Sequence, residues 1–144
     1  MAIIIKNAEM TSKQYLSRAF WLRKKIAAKE THLEELRTQA EKSTQVLTGM
    51  PRGGNAQSSV ETLAVMIADL SWEIELDELD LALYEAEIKK VIDEVSDPLC
   101  FQVLTYRYLA FHTWTQIADE MHYSNRQLFR IHAKALRAVD DVIE

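Results

Sequence analysis

Two stretches of the chain keep an apolar residue at alternating steps of four and three for so many turns that a pair of long helices must carry them. From Tyr15 the steps land on Ala19, Leu22, Ile26, Lys29, Leu33, Leu36, Ala40, Ser43 and Leu47, where only Lys29 and Ser43 are polar. From Val60 they land on Leu63, Ile67, Leu70, Ile74, Asp77, Leu81, Tyr84, Ile88, Val91 and Val95, with Asp77 the one polar member. A mean period of 3.5 residues is the mark of a coiled-coil seam. The glycine-rich stretch from Thr48 to Asn55 separates the two runs and permits a reversal, so the expectation is a long antiparallel helical hairpin. Facing residues then have numbers adding to about 107, which brings Lys29 opposite Asp77 or Glu78. Such a pair inside an apolar seam stabilises little after desolvation, but it penalises any register that parts the charges.

The second run has a further apolar stripe: Val65, Trp72, Leu76, Leu79, Leu83 and Ala86. Trp72 and Leu76 each lie two residues from the seam residue Ile74, about 200° around a helix, so this stripe faces away from the seam. It needs a cover. A second copy of the chain is favoured over the C-terminal region folding back, so Val65, Trp72, Leu76, Leu79 and Leu83 are the expected homodimer interface.

Helix starts are marked by Ser or Thr followed three residues later by Gln or Glu, a spacing that satisfies orphan amides reciprocally. The pattern occurs at Thr11 with Gln14, Ser58 with Glu61, Thr113 with Gln116 and Ser124 with Gln127. Asp97-Pro98 marks another start, with proline at the first helical position. The expected organisation is all-α, with residues 1–96 forming an N-terminal arm and coiled-coil hairpin, and residues 97–144 a three-helix domain.

Charge limits the partners. The formal net charge is -5, yet residues 1–47 carry nine basic and five acidic groups, residues 48–98 three and twelve, and residues 99–144 five and five. The acidity sits in the second long helix, and a surface elsewhere can be locally basic because salt screens charges beyond about 10 Å. The apolar arm Ala2–Ile5 is too short for a signal segment and no stretch is long enough for a bilayer span, so the protein is expected in the cytoplasm, away from membranes. Cys100, the single cysteine, reads as a buried thiol. His32, His112, His122 and His132 lack partners at metal-ligand spacing, and Arg52-Gly53-Gly54-Asn55 lacks the Lys-Ser/Thr of a nucleotide loop. The carboxylates of the second helix follow helical spacing along a solvent face instead of pairing. No enzyme, cofactor, metal or small-molecule substrate is expected.

Between Thr113 and Val139 the spacing is that of a helix-turn-helix. Thr113 caps a helix over Trp114–Met121 with Ile117 and Ala118 inward, His122-Tyr123 forms a tight turn, and Ser124 caps a second helix. With Leu128 in the core, Ile131, Ala135 and Val139 lie within about 60° of it, while Arg126, Arg130, Ala133 and Arg137 lie within about 40° of the opposite direction. Phe129, Gln127 and Lys134 flank that arginine face. Arginine addresses guanine edges or phosphates bidentately, glutamine addresses adenine, and Ala133 permits close approach. Asn125, Arg126, Gln127 and Arg130 are therefore expected nearest the bases of duplex DNA. Lys134 and Arg137 are expected on phosphates, with Thr113, Thr115 and Ser124 at the capped helix starts.

Residues 97–136 are similar to the C-terminal portion of small phage and prophage proteins of the RinA-like transcriptional activator group, whose helix-turn-helix resembles region 4 of bacterial sigma factors. The likeness lies in Tyr106-Arg107-Tyr108, Trp114, Ile117-Ala118, Tyr123-Ser124, Arg126, Arg130, His132 and Ala135-Leu136. Lys13-Gln14-Tyr15-Leu16 and Gln57-Ser58-Ser59 are also similar to a related phage family. The resemblance implies activation of phage late genes, with RNA polymerase as a possible second contact. It also implies glycine at the turn position, where this chain has His122, so a left-handed backbone there would be mildly strained. The other function class is a packaging or adaptor protein working through its hairpin. Small terminase subunits more often place the helix-turn-helix ahead of the oligomerising helices, an order reversed here, which favours the regulator.

Overall fold

The computed structural model describes residues 10–49 and 55–143, and all the secondary structure among them is helical. The apolar arm and residues 50–54 of the glycine-rich stretch lie outside that description. Helix α1 spans Ser12–Gly49 and α2 spans Asn55–Asp93. Three shorter helices follow: α3 (Pro98–Leu104), α4 (Trp114–Met121) and α5 (Asn125–Ile143). Among the described residues no helix is long and apolar enough to cross a membrane.

The expected caps hold at α1 and α3. Thr11 Oγ1 accepts from the Gln14 amide at 3.2 Å while Gln14 Oε1 accepts from the Thr11 amide at 2.9 Å, and Asp97 accepts from the amides of Leu99 and Cys100. At α2 the helix begins at Asn55, so Ser58 is its fourth residue instead of its cap. Local spacing marks a competent cap, but the chain continues the helix upstream when nothing stops it.

The chain divides into two compact units, one of Met1–Trp21 with Leu81–Glu144 and the other of Leu22–Asp80. This differs from the boundary expected at 96/97. In the Leu22–Asp80 unit, Ile26, Leu33 and Leu36 of α1 and Leu70 and Ile74 of α2 are buried, as the seam requires. Lys29 Nζ lies 2.7 Å from Asp77 Oδ2 and 3.2 Å from Glu73 Oε1. The odd charges of the two runs meet. The second carboxylate is Glu73, one turn before Asp77, instead of Glu78. Hydrogen bonding to Asp77 holds the Lys29 ammonium above its usual pKa. On the far side of α2, Val65, Trp72, Leu76 and Leu79 stay exposed, at 60%, 60%, 43% and 64%.

The other unit gathers its core from both ends of the chain. Tyr15, Leu16 and Ala19 of α1 pack with Ile88, Val91, Ile92 and Val95, and with Cys100, Leu104, Tyr108, Ala135, Val139 and Ile143. The seam sets Tyr15 and Ala19 against Ile92 and Ile88, as expected, but the period of one helix does not show the further packing against Cys100, Leu104, Val139 and Ile143. Arg18 closes the packing: its guanidinium lies 3.0 Å from Glu87 and over the rings of Tyr15 and Tyr84, at 4.2 and 4.5 Å from their centroids. Ser12 Oγ donates to Asp140. Cys100 is buried, and desolvation raises its thiol pKa. Leu83 is 65% exposed in this unit.

Between α3 and α4 the chain widens into a π-helical turn, Thr105–Leu109, which the sequence reading did not foresee. Ala110 N–H donates to Thr105 O and His112 N–H to Tyr106 O, both at 2.9 Å. Phe111, between them, takes φ 59°, a costly conformation for a bulky residue. Its ring packs against the core, and that burial offsets the strain.

Candidate nucleic-acid interface

Helices α4 and α5 form the helix-turn-helix. A small core of Val103, Ile117 and Leu128 holds them, with Tyr106, Trp114, Ala118, Met121 and Ile131 packed against it. Both helix starts carry the reciprocal cap. At Thr113 the distances are 3.2 Å (Gln116 amide to Thr113 Oγ1) and 2.8 Å (Thr113 amide to Gln116 Oε1). At Ser124 they are 3.2 Å (Gln127 amide to Ser124 Oγ) and 3.0 Å (Ser124 amide to Gln127 Oε1). These caps fix where each helix begins, and so which side chains of α5 stand at its N-terminal end.

The turn pivots on His122, at φ 59° and ψ 42°. The left-handed backbone expected from the missing glycine is present. An L-residue there costs about 1–2 kcal/mol, partly offset because glycine would gain more freedom in the unfolded chain. His122→Gly is therefore expected to stabilise the protein by about 0.5–1 kcal/mol, a rise in Tm of about 1–4 °C. A fall in Tm on differential scanning calorimetry would show instead that the imidazole contributes more than the strain removes.

Helix α5 is sharply two-faced. Leu128, His132, Ala135, Val139 and Ile143 are buried, and Asn125, Arg126, Phe129, Arg130, Ala133 and Arg137 are exposed. The remaining candidates, Thr113, Thr115, Ser124, Gln127 and Lys134, are exposed too. No family model, curated protein or solved structure matches the chain. Two candidates are already engaged within the fold. Gln127 Oε1 serves the Ser124 cap, accepting also from Ser124 Oγ at 3.1 Å, so a bidentate contact with adenine would require breaking that cap. Lys134 Nζ lies 2.9 Å from Asp97 Oδ2. Hydrogen bonding to Asp97 raises the Lys134 pKa, while Lys134 and the Cys100 amide hold the Asp97 carboxyl below its usual value. An exposed pair of this kind is weak, but it gives the ammonium a competitor for phosphate.

Beside this face lies an aromatic and cationic cluster whose members the sequence marks as motif and packing residues but whose mutual contacts it does not show. The Arg107 guanidinium sits 4.7 Å from the centroid of Trp114 and 5.8 Å from that of Phe20, and it donates to the His112 carbonyl at 3.0 Å. Trp114 meets Phe129 edge-on at 5.3 Å and His132 at 4.6 Å. His132 Nε2 lies 2.7 Å from Tyr108 Oη, both groups buried. Burial, with Lys13 and Arg107 nearby, lowers the His132 pKa to about 4, and burial pushes the Tyr108 hydroxyl up to about 12. Both are neutral at physiological pH, and they act as a structural bolt beneath Trp114. The sequence signal was the nearness of Tyr106-Arg107-Tyr108 to Trp114, which carries no distance. Among the described residues no group of three His, Cys, Asp or Glu side chains is arranged to hold a metal ion.

Proposed function

We propose that the chain is a sequence-specific, DNA-binding transcription regulator of the RinA-like phage and prophage kind, an activator of late genes. It binds duplex DNA as a homodimer paired through the α2 stripe, with RNA polymerase as a further contact. One observation carries this reading: α5 presents Arg126, Arg130 and Arg137 on the face opposite buried Leu128, at the end of a doubly capped helix-turn-helix. In this reading Asn125, Arg126 and Arg130 contact base edges and Arg137 a phosphate, a division supported by their exposure on α5.

Titration against a library of duplexes at low and moderate salt tests it. Arg126→Ala and Arg130→Ala should each cost about 1–3 kcal/mol and blur the preferred sequence. Arg137→Ala should weaken every sequence alike and flatten the salt dependence by about one unit of slope. Lys134→Ala should flatten it less, because Asp97 competes for that ammonium. No enriched sequence, together with unchanged binding in the two base-face variants, sinks the proposal. A ring-sized assembly in light scattering would support the packaging reading, in which the hairpin is the working part.

A further inference from the structure

Resting on the DNA-reading proposal, we infer that Phe129 reads thymine, by packing its ring against the C5-methyl group in the major groove. Phe129 is 49% exposed, three residues from Arg126 and four from Ala133, and so borders the arginine face. An apolar ring at the border of a cationic surface adds nothing to phosphate binding, whereas it suits an apolar group on a base edge. Within the major groove the one apolar group on a base edge is the thymine methyl, which distinguishes T·A from every other pair.

The ring is also held in place. Trp114 meets it edge-on at 5.3 Å with an interplanar angle of 80°. Trp114 is itself fixed by Arg107 over its face and by the edge of buried His132. Phe129 thus cannot fold down onto its own helix without leaving Trp114, and its outer half stays presented beside the base-reading arginines. The arrangement resembles a shelf: a rigid apolar edge at one side of a cationic surface. Such preorganisation favours contact with a small, fixed group because little side-chain freedom remains to be lost on binding.

The test uses the full chain and the duplex it selects, with each thymine replaced singly by uracil, which keeps the pairing and removes only the methyl. Wild type should lose about fourfold in affinity at one position per half-site, the transfer value of one buried methyl group. Phe129→Ala should bind the thymine and uracil duplexes equally at that position, while its guanine preferences, set by Arg126 and Arg130, stay in place. Phe129→Leu keeps apolar packing on Trp114 and should retain part of the discrimination, which covers the case of an unfolded alanine variant. Specific binding with no methyl-sensitive position, or methyl sensitivity unchanged in both variants, overturns this inference and leaves the DNA proposal standing. Absence of any sequence preference in wild type overturns the DNA proposal itself. A Phe129→Ala protein that still discriminates thymine but no longer binds RNA polymerase would assign the ring to a protein contact instead.

Discussion

Replacing Leu76 and Leu79 together with glutamate is expected to turn a dimer into folded monomers. Both leucines are exposed on α2, with Trp72 and Val65 beside them, and none of the described residues of the Leu22–Asp80 unit covers them. In a two-fold symmetric pair each substitution acts twice. Burial of a leucine is worth about 1.5–3 kcal/mol, so the double change should weaken pairing by a factor of about 1000 or more. Salt gives a second reading with a definite sign. Asp69, Glu73, Glu75 and Asp80 are exposed on the same stretch of helix, and α2 carries no basic residue between Asn55 and Glu87. Two copies therefore bring like charges together, and screening should tighten the dimer while loosening DNA binding. Analytical ultracentrifugation at low and high salt reads both effects. A wild type that sediments as a monomer at high concentration rules out the interface.

The bolt beneath Trp114 sets the second large effect. Folding lowers the His132 pKa from 6.5 to about 4, so between those values the unfolded chain binds more protons and stability rises with pH. The contribution is complete above the unfolded value and is lost as pH falls through the window, by about 3 kcal/mol in all. Urea unfolding at neutral pH and at about pH 4.5 measures it. His132→Gln, which keeps a partner for Tyr108 Oη, should flatten the dependence; the same slope in wild type and variant would assign it to another group. At neutral pH, Tyr108→Phe leaves His132 Nε2 buried without a hydrogen bond, at a cost of about 1–3 kcal/mol.

The hairpin was legible because a heptad seam over many turns has few structural alternatives, and because its two charged exceptions, Lys29 and Asp77, can share one seam only by meeting. The helix-turn-helix was legible for a different reason: Thr113 and Ser124 each announce a helix through chemistry confined to four residues. What escaped was long-range or geometrically silent. Nothing in Thr105–Leu109 marks the widened turn, and a left-handed Phe111 is set by the ring burial that offsets it. Gln127 and Lys134 are polar residues with two plausible partners each; the sequence shows their valence, and only the fold shows which partner is near. Tyr15 and Ala19 could be set against α2 by the seam, but their packing, with Leu16, against Cys100, Leu104, Ala135, Val139 and Ile143 was not legible.

That placement gives the unit a timetable. Ser12 and Asp140 share a hydrogen bond across 128 residues of chain, and Tyr15 and Leu16 belong to the same core as Val139 and Ile143. On a ribosome the opening turns of α1 emerge on the order of ten seconds before α5 exists, at ordinary rates of synthesis. During that interval their apolar side faces water or a chaperone, and contacts of such long separation form slowly even once all the parts are present. A partly synthesised copy therefore has no finished arginine face, which is complete only when α5 has been made and has found the first turns of the chain.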